Sequence, residues 1–204
     1  MAMTEAKWLR TPRPGDMLSF LRQGKPSARK LRLYAVASSR RCNFERPGEE
    51  KAEELAVIAL AERFADGLAT SKELAEAARC RFDEDATWCV AEANPFEGAQ
   101  AFTTALSGQC KQSVKAALLR DVFGNPFREV AFDPVWRTPA VASLAAAAYE
   151  ERLTPSLDLD PVRLSILADA LEEGGCAEAL ITHLRSRGPH VRGCWALDLI
   201  LGKG

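Results

Sequence analysis

The sequence predicts an all-α protein, a compact bundle of eight or nine helices with irregular, orthogonal helix crossings. Composition is the first observation: Ala and Leu together account for 58 residues, whereas Val, Ile and Thr account for 23. Ala and Leu lose little side-chain freedom in a helix, while β-branched residues prefer strands. The second observation is that no run of alternating β-forming residues occurs along the chain. The third is a series of helix-start and helix-stop signals.

These signals place the helices of the first half of the chain. Pro14 suits a first helical turn, Ser27 can cap the next helix, and Gly67 suits a helix end in the left-handed conformation. Thr70 and Glu73 form a capping box, in which a hydroxyl and a carboxylate satisfy exposed amides. The predicted helices are residues 14–24, 28–41, 49–66 (after a break at Pro47-Gly48) and 70–93, with an ambiguous segment, 95–110, that reads as a short helix between Gly98 and Gly108.

The second half of the chain contains the same kinds of helix-start and helix-stop signals. Thr138-Pro139 and Asp160-Pro161 each place a capping side chain before a proline at the first helical position. Gly124-Asn125-Pro126 predicts a turn, and an extended apolar stretch follows it up to Trp136. The predicted helices are residues 111–122, 139–153, 161–173, 176–185 and 193–201.

Charge is distributed unevenly along the chain. The net charge is −1, yet residues 1–46 hold 11 basic residues against 3 acidic ones. A basic segment can bind phosphate groups of a nucleic acid, or it can dock on the acidic remainder of the same chain, and we favour the second interpretation. The sequence predicts one domain over residues 1–204, with a basic subdomain 1–46 and a main body 47–204 as the alternative division. The residues of the nucleic-acid alternative are Arg29, Lys30, Arg32, Arg40 and Arg41.

Localisation is expected to be cytoplasmic, without membrane attachment. No window approaches ~18 consecutive apolar residues, and the first residues contain no apolar signal core. The six cysteines are scattered and include no C-x-x-C pair, so we expect buried thiols rather than disulfides. They are Cys42, Cys80, Cys89, Cys110, Cys176 and Cys194.

One spacing of Cys and His resembles a metal site. Cys176, His183, His190 and Cys194 are separated by six, six and three residues, and their side chains are donors that suit zinc. Structural zinc sites usually take a ligand pair from a tight turn, and only His190 and Cys194 meet that condition. We therefore expect no metal and no other cofactor, with the cysteines in the core and the histidines near polar helix ends.

The sequence does not favour an enzyme. Carboxylates cluster between residues 158 and 173, and they can perform acid–base chemistry or bind a divalent cation. Helix capping and solvation explain the same residues, and the chain contains no nucleophile elbow, phosphate loop or dinucleotide fingerprint. The clustered residues are Asp158, Asp160, Asp169, Glu172 and Glu173.

Several longer motifs carry a resemblance to a known family. They are EAKWL, KLRLYAVASSRR, ALAERFADGLAT, DVFGNPFREVAFDPVWRTPAVASLAAAAYEERL, LSILADALEEGGC and GPHVRGCWALDLILGK. Together they resemble a family of helical proteins that is abundant in planctomycete bacteria and has no assigned activity. The resemblance implies a bacterial, helical protein over most of the chain, and it implies no catalytic residue or cofactor.

We therefore predict a non-enzymatic protein that acts through protein–protein contact, as an adaptor or regulatory module. The alternatives are a nucleic-acid-binding protein and, third, a metal-dependent enzyme. The loop around Gly188-Pro189 is the candidate interface, because it concentrates arginines and a tryptophan, which are enriched in interface hot spots. Its candidate residues are Arg185, Arg187, His190, Arg192 and Trp195.

Overall fold

The computed structural model describes residues 2–43, 50–79, 86–104 and 110–203, and it confirms the all-α prediction. The described residues form twelve α-helices, rather than the eight or nine expected, and one two-stranded sheet. None of the described helices combines the length and the apolar composition that crossing a membrane requires.

Two compact units make up the chain, residues 1–119 and 120–204. The helices of the first unit, up to and including α8, are α1 (Glu5–Arg10), α2 (Pro14–Leu21), α3 (Ala28–Asn43), α4 (Glu50–Ala65), α5 (Ser71–Arg79), α6 (Ala86–Ala91), α7 (Pro95–Thr104) and α8 (Gln112–Phe123).

The core of the first unit lies around α3, which packs against α4 and α7. Apolar side chains spaced at helical intervals on α3 and α4 are buried there, together with single residues from α5 and α6. The cluster consists of Ala35, Val36, Val57, Ile58, Ala61, Leu74 and Val90.

The second unit contains α9 (Pro139–Glu150), a short antiparallel hairpin of β1 (Arg152–Leu153) and β2 (Asp158–Leu159), α10 (Pro161–Glu173), α11 (Glu178–Leu184) and α12 (Trp195–Leu201). α10 packs against α9 and α11, and α12 packs against α9. Leucines and alanines from these helices, such as Leu167 on α10 and Leu197 on α12, form one buried core.

The capping signals are confirmed where the structure describes them. Thr138 and Asp160 accept backbone amide hydrogen bonds at the starts of α9 and α10, and Thr70 and Glu73 form the reciprocal capping box. The extended stretch before Trp136 instead ends in a 3-10 helix. α1 and the hairpin were not predicted. The break at Pro47-Gly48, Gly108, Cys80 and the side chain of Cys42 lie outside the described residues.

Gly98 marks a close crossing of α6 and α7. A Cβ atom at this position would lie 2.1 Å from the carbonyl oxygen of Cys89 on α6, closer than any real contact. We therefore expect Gly98→Ala to force the helices apart and to lower the free energy of unfolding by about 1–3 kcal/mol in urea denaturation. Gly15→Ala on α2 is the control, since nothing lies within 4 Å of its Cβ position. This substitution should raise the free energy of unfolding by up to about 1 kcal/mol. Equal effects of the two substitutions would contradict this close crossing.

Candidate metal centre

Four polar side chains converge within the second unit. Asp121 comes from the last turn of α8, His183 from α11, His190 from the loop that follows α11, and Cys194 from the residue before α12. One potential ligand atom from each residue lies within 4.8 Å of all the others. The set therefore contains an oxygen, two nitrogens and a sulfur in a small volume.

Local backbone geometry turns His190 toward this cluster. Gly188 has a φ of +74°, and a Cβ atom there would lie 2.8 Å from the amide nitrogen of His190, so the turn requires glycine. The carbonyl oxygen of His190 then accepts a hydrogen bond from the amide of Leu159 on β2, at 2.9 Å. The next amide, from Val191, donates to Oδ2 of Asp121 at 2.8 Å. The peptide group between His190 and Val191 is thus held at both its oxygen and its nitrogen.

The spacing of the donor atoms is close to that of a tetrahedral metal site. Oδ1 of Asp121 lies 3.0 Å from Nδ1 of His190 and 3.2 Å from Nε2 of His183. Nε2 of His183 also lies 3.2 Å from Sγ of Cys194. A tetrahedral ion with bonds of about 2.0–2.3 Å separates its ligand atoms by about 3.3–3.6 Å. Three of the six distances between donor atoms therefore fall just below this range, and all six lie within 4.8 Å.

The proton on the His190 ring can sit on either nitrogen. Nε2 lies 3.1 Å from the carbonyl oxygen of Ser186, which can only accept, and 3.3 Å from the hydroxyl oxygen of the same residue, which can donate or accept. With the proton on Nδ1, the ring donates to Oδ1 of Asp121 and accepts from the hydroxyl. With the proton on Nε2, the ring donates to the carbonyl oxygen, and Nδ1 presents a lone pair that a metal ion can bind. Donation of the outer N–H to a carbonyl is also the usual arrangement for a metal-binding histidine.

The pKa shifts of Asp121, His190 and Cys194 describe the cluster in the absence of a metal. Burial raises the pKa of Asp121, but hydrogen bonds from His183 and His190 outweigh it and hold the pKa below its usual value. Burial lowers the pKa of His190, but the hydrogen bond and charge of Asp121 outweigh it and raise the pKa. Burial, and then the charge of Asp121, keep the pKa of Cys194 well above its usual value. Without a metal, these shifts favour the ionised carboxylate of Asp121, the protonated ring of His190 and the neutral thiol of Cys194.

The sequence identified three of the four residues and missed Asp121. Cys176, the fourth predicted residue, is not part of the cluster; it lines a cleft of about 630 Å³ beside Thr182, and burial raises the pKa of its thiol. The signal for Asp121 was its position on the apolar stripe of α8, three residues after Leu118, and beside the helix C-terminus, where a negative charge is unfavourable.

The five candidate interface residues do not form one exposed surface. Arg187 is exposed, and Arg185, also at the surface, bonds both Asp169 and Glu172 at 2.6 Å. His190 is buried and Trp195 is partly buried. The side chain of Arg192 is 10% exposed; it bonds Glu150 at 2.8 Å and lies over the ring of Tyr149.

Three of the five nucleic-acid candidates bond within the first unit. Arg29, Arg32 and Arg40 lie on α3 and are buried or half-buried. Their partners are, in order, Asp66, the carbonyl oxygens of Val90 and Glu92, and Glu62. Burial lowers the pKa of Arg32 despite the nearby charge of Glu92. These contacts support docking of basic side chains on the same chain. Lys30 and Arg41 are half-buried on the same helix.

The clustered carboxylates have structural roles. Asp160 caps α10, and Asp169 and Glu172 share the face of α10 that bonds Arg185. Asp158 lies in β2 and Glu173 is exposed at the end of α10.

No protein-family model, curated protein or solved structure matches this chain. The site is therefore interpreted from its own geometry, and the resemblance to planctomycete proteins stays a prediction.

The buried pair of Asp121 and His190 should be sensitive to loss of charge. We expect Asp121→Asn to lower the free energy of unfolding by about 3 kcal/mol in the presence of a metal chelator, because the substitution leaves a buried cation without its partner. Asp169→Asn is the control, since its ion pair is exposed and contributes about 1 kcal/mol or less. Urea denaturation at neutral pH measures both. Equal losses would show that the pair with Asp121 is not formed.

Arg192 and Arg187 should respond differently to charge reversal. Arg192→Glu places a carboxylate beside Glu150 and removes the cation from the ring of Tyr149. We expect a loss of about 2 kcal/mol in unfolding free energy, seen as a lower melting temperature. Arg187→Glu, at an exposed position, should leave the melting temperature nearly unchanged. An unchanged melting temperature for both variants would return Arg192 to the candidate interface.

Proposed function

We propose that this chain is a metal-binding helical protein whose second unit holds one zinc-type divalent ion between Asp121, His183, His190 and Cys194. The observation that carries the proposal is the convergence of four donor atoms, one from each side chain, within 4.8 Å of one another. In the tautomer of His190 whose outer N–H donates to the carbonyl oxygen of Ser186, the inner nitrogen presents a lone pair to the other three donors. The spacing in the sequence favoured an absence of metal, whereas this convergence supports a bound ion.

The chemistry of the donors supports zinc. Imidazole nitrogens and a thiolate are borderline and soft ligands, which suit zinc and cobalt rather than magnesium or calcium. Oδ2 of Asp121 is occupied by the amide of Val191, so this carboxylate offers one oxygen to a metal. The result is a four-donor set, with one atom from each side chain.

A structural role is favoured over a catalytic one. A catalytic zinc site usually has three protein ligands and an open position, whereas this set has four. Asp121, His190 and Cys194 are buried, and the side chain of His183 is 19% exposed. An ion bound here has little room for a substrate, which supports a non-enzymatic protein.

We infer that the ion stabilises a module that acts by binding another protein, in the cytoplasm. The internal bonding of Arg29, Arg32 and Arg40 favours this function over nucleic-acid binding, because those cations already have partners. Mostly buried ligands likewise favour it over the metal-dependent enzyme.

Metal content tests the proposed site directly. The untagged chain, purified without chelator, should contain about one zinc per molecule by elemental analysis, the stoichiometry of a four-ligand site. His190→Ala and Cys194→Ala should lose it. Cys176→Ala is the matched control, a buried cysteine outside the cluster, and it should retain the metal.

Two outcomes would contradict this proposal. The first is a folded natural chain that contains no metal and takes up neither zinc nor cobalt on reconstitution; the cluster is then a buried carboxylate–imidazolium pair. The second is a bound metal that both ligand variants retain.

A further inference from the structure

Three of the four proposed ligands contact polar groups of the backbone. Asp121 accepts from the amide of Val191, and Nε2 of His190 lies 3.1 Å from the carbonyl oxygen of Ser186. Sγ of Cys194 accepts hydrogen bonds from backbone amides in the first turn of α12. Such outer contacts hold metal ligands in the required direction.

His183 differs from the other three ligands. Its Nε2 faces Asp121 and Cys194, and its Nδ1 has no hydrogen-bond partner among the residues that the structure describes. Rotation of an imidazole about χ2 has a broad energy profile, so the side chain does not hold its own ring in one orientation. A contact on the face of the ring can therefore direct Nε2 toward the other donors.

Aromatic contacts take that place. The indole of Trp195 lies 4.9 Å from the ring of His183, at an interplanar angle of 50°. The ring of His190 meets His183 edge-on, also at 4.9 Å. Because His190 is itself a proposed ligand, Trp195 is the contact from outside the donor set.

The indole of Trp195 packs closely against Gly124. A Cβ atom at Gly124 would lie 3.0 Å from Cγ of Trp195, so a side chain there would push the ring away. Gly124 follows the end of α8, which also carries Asp121. The indole thus packs against the same segment that supplies the carboxylate.

We propose that Trp195, which packs against Gly124, is a positioning residue. Its contact orients the imidazole of His183 for metal binding, a role that a hydrogen bond fills at other ligands. This inference rests on the proposed metal-binding function. It assigns to Trp195 a role inside the second unit, whereas its sequence context predicted a hot spot for a partner protein.

Cobalt(II) titration tests this role, because the visible absorption of bound cobalt reports the geometry of its ligands. Trp195→Leu removes the ring and Trp195→Phe keeps an aromatic face. Trp136→Leu is the matched control, since Trp136 is also partly buried against the core of the second unit but packs edge-on against Phe132.

We expect Trp195→Leu to weaken cobalt affinity about 10-fold or more, the usual effect of losing a contact that orients a ligand, and to change the visible spectrum. Trp195→Phe should restore most of the affinity and the spectrum. Trp136→Leu should bind cobalt like the natural chain even where its melting temperature falls. If Trp195→Leu does not fold, Trp195→Met replaces it with the same expectation.

Each contrary result has a distinct meaning. A ring-less variant that binds cobalt with the affinity and spectrum of Trp136→Leu would overturn the positioning role and leave the metal site in place. A natural chain that binds no cobalt would overturn the proposed function itself, and with it this inference.

Discussion

A carboxylate removed from water has to be compensated, and Asp121 is compensated by groups from several segments of the second unit. The amide of Val191 and the two imidazoles surround it, so α11 and the loop after α11 are held against the end of α8 by one charge. The position of Cys194 follows, because its amide bonds the carbonyl oxygen of Val191 at 2.9 Å. The start of α12, and with it Trp195, therefore depends on the same carboxylate.

Local signals were sufficient for much of the fold. Thr138 and Asp160 cap their helices as predicted, because a capping hydrogen bond joins residues only two or three positions apart. α1 was missed because its six residues give too short a pattern, although Trp8 is buried. The hairpin was missed because its strands have only two residues each, and because the backbone of Leu159 bonds His190, which is far away in the sequence.

The site was predictable only as far as its ligands are neighbours in sequence. His183, His190 and Cys194 lie within 12 residues, whereas Asp121 precedes His183 by 62 positions. Spacing also gave Cys176 as a candidate, and it lies outside the cluster, because an interval in the sequence does not determine where a residue before α11 places its side chain. The basic stretch illustrates the same limit: Arg29 and Arg40 look available in the sequence, but Asp66 and Glu62 meet them once α3 and α4 have packed.

The separation in sequence between Asp121 and the other three proposed ligands determines how an ion bound at the proposed site would change the free energy of unfolding. An unfolded chain can still present His183, His190 and Cys194 to a metal, because closing so short a segment costs little entropy. Binding to that unfolded segment adds nothing to the folded state, since only preferential binding stabilises it. Asp121 reaches the other three donors only after α8 and α11 have come together in the folded chain. The proposed ligand that spacing could not reveal would therefore be the one that couples metal binding to folding.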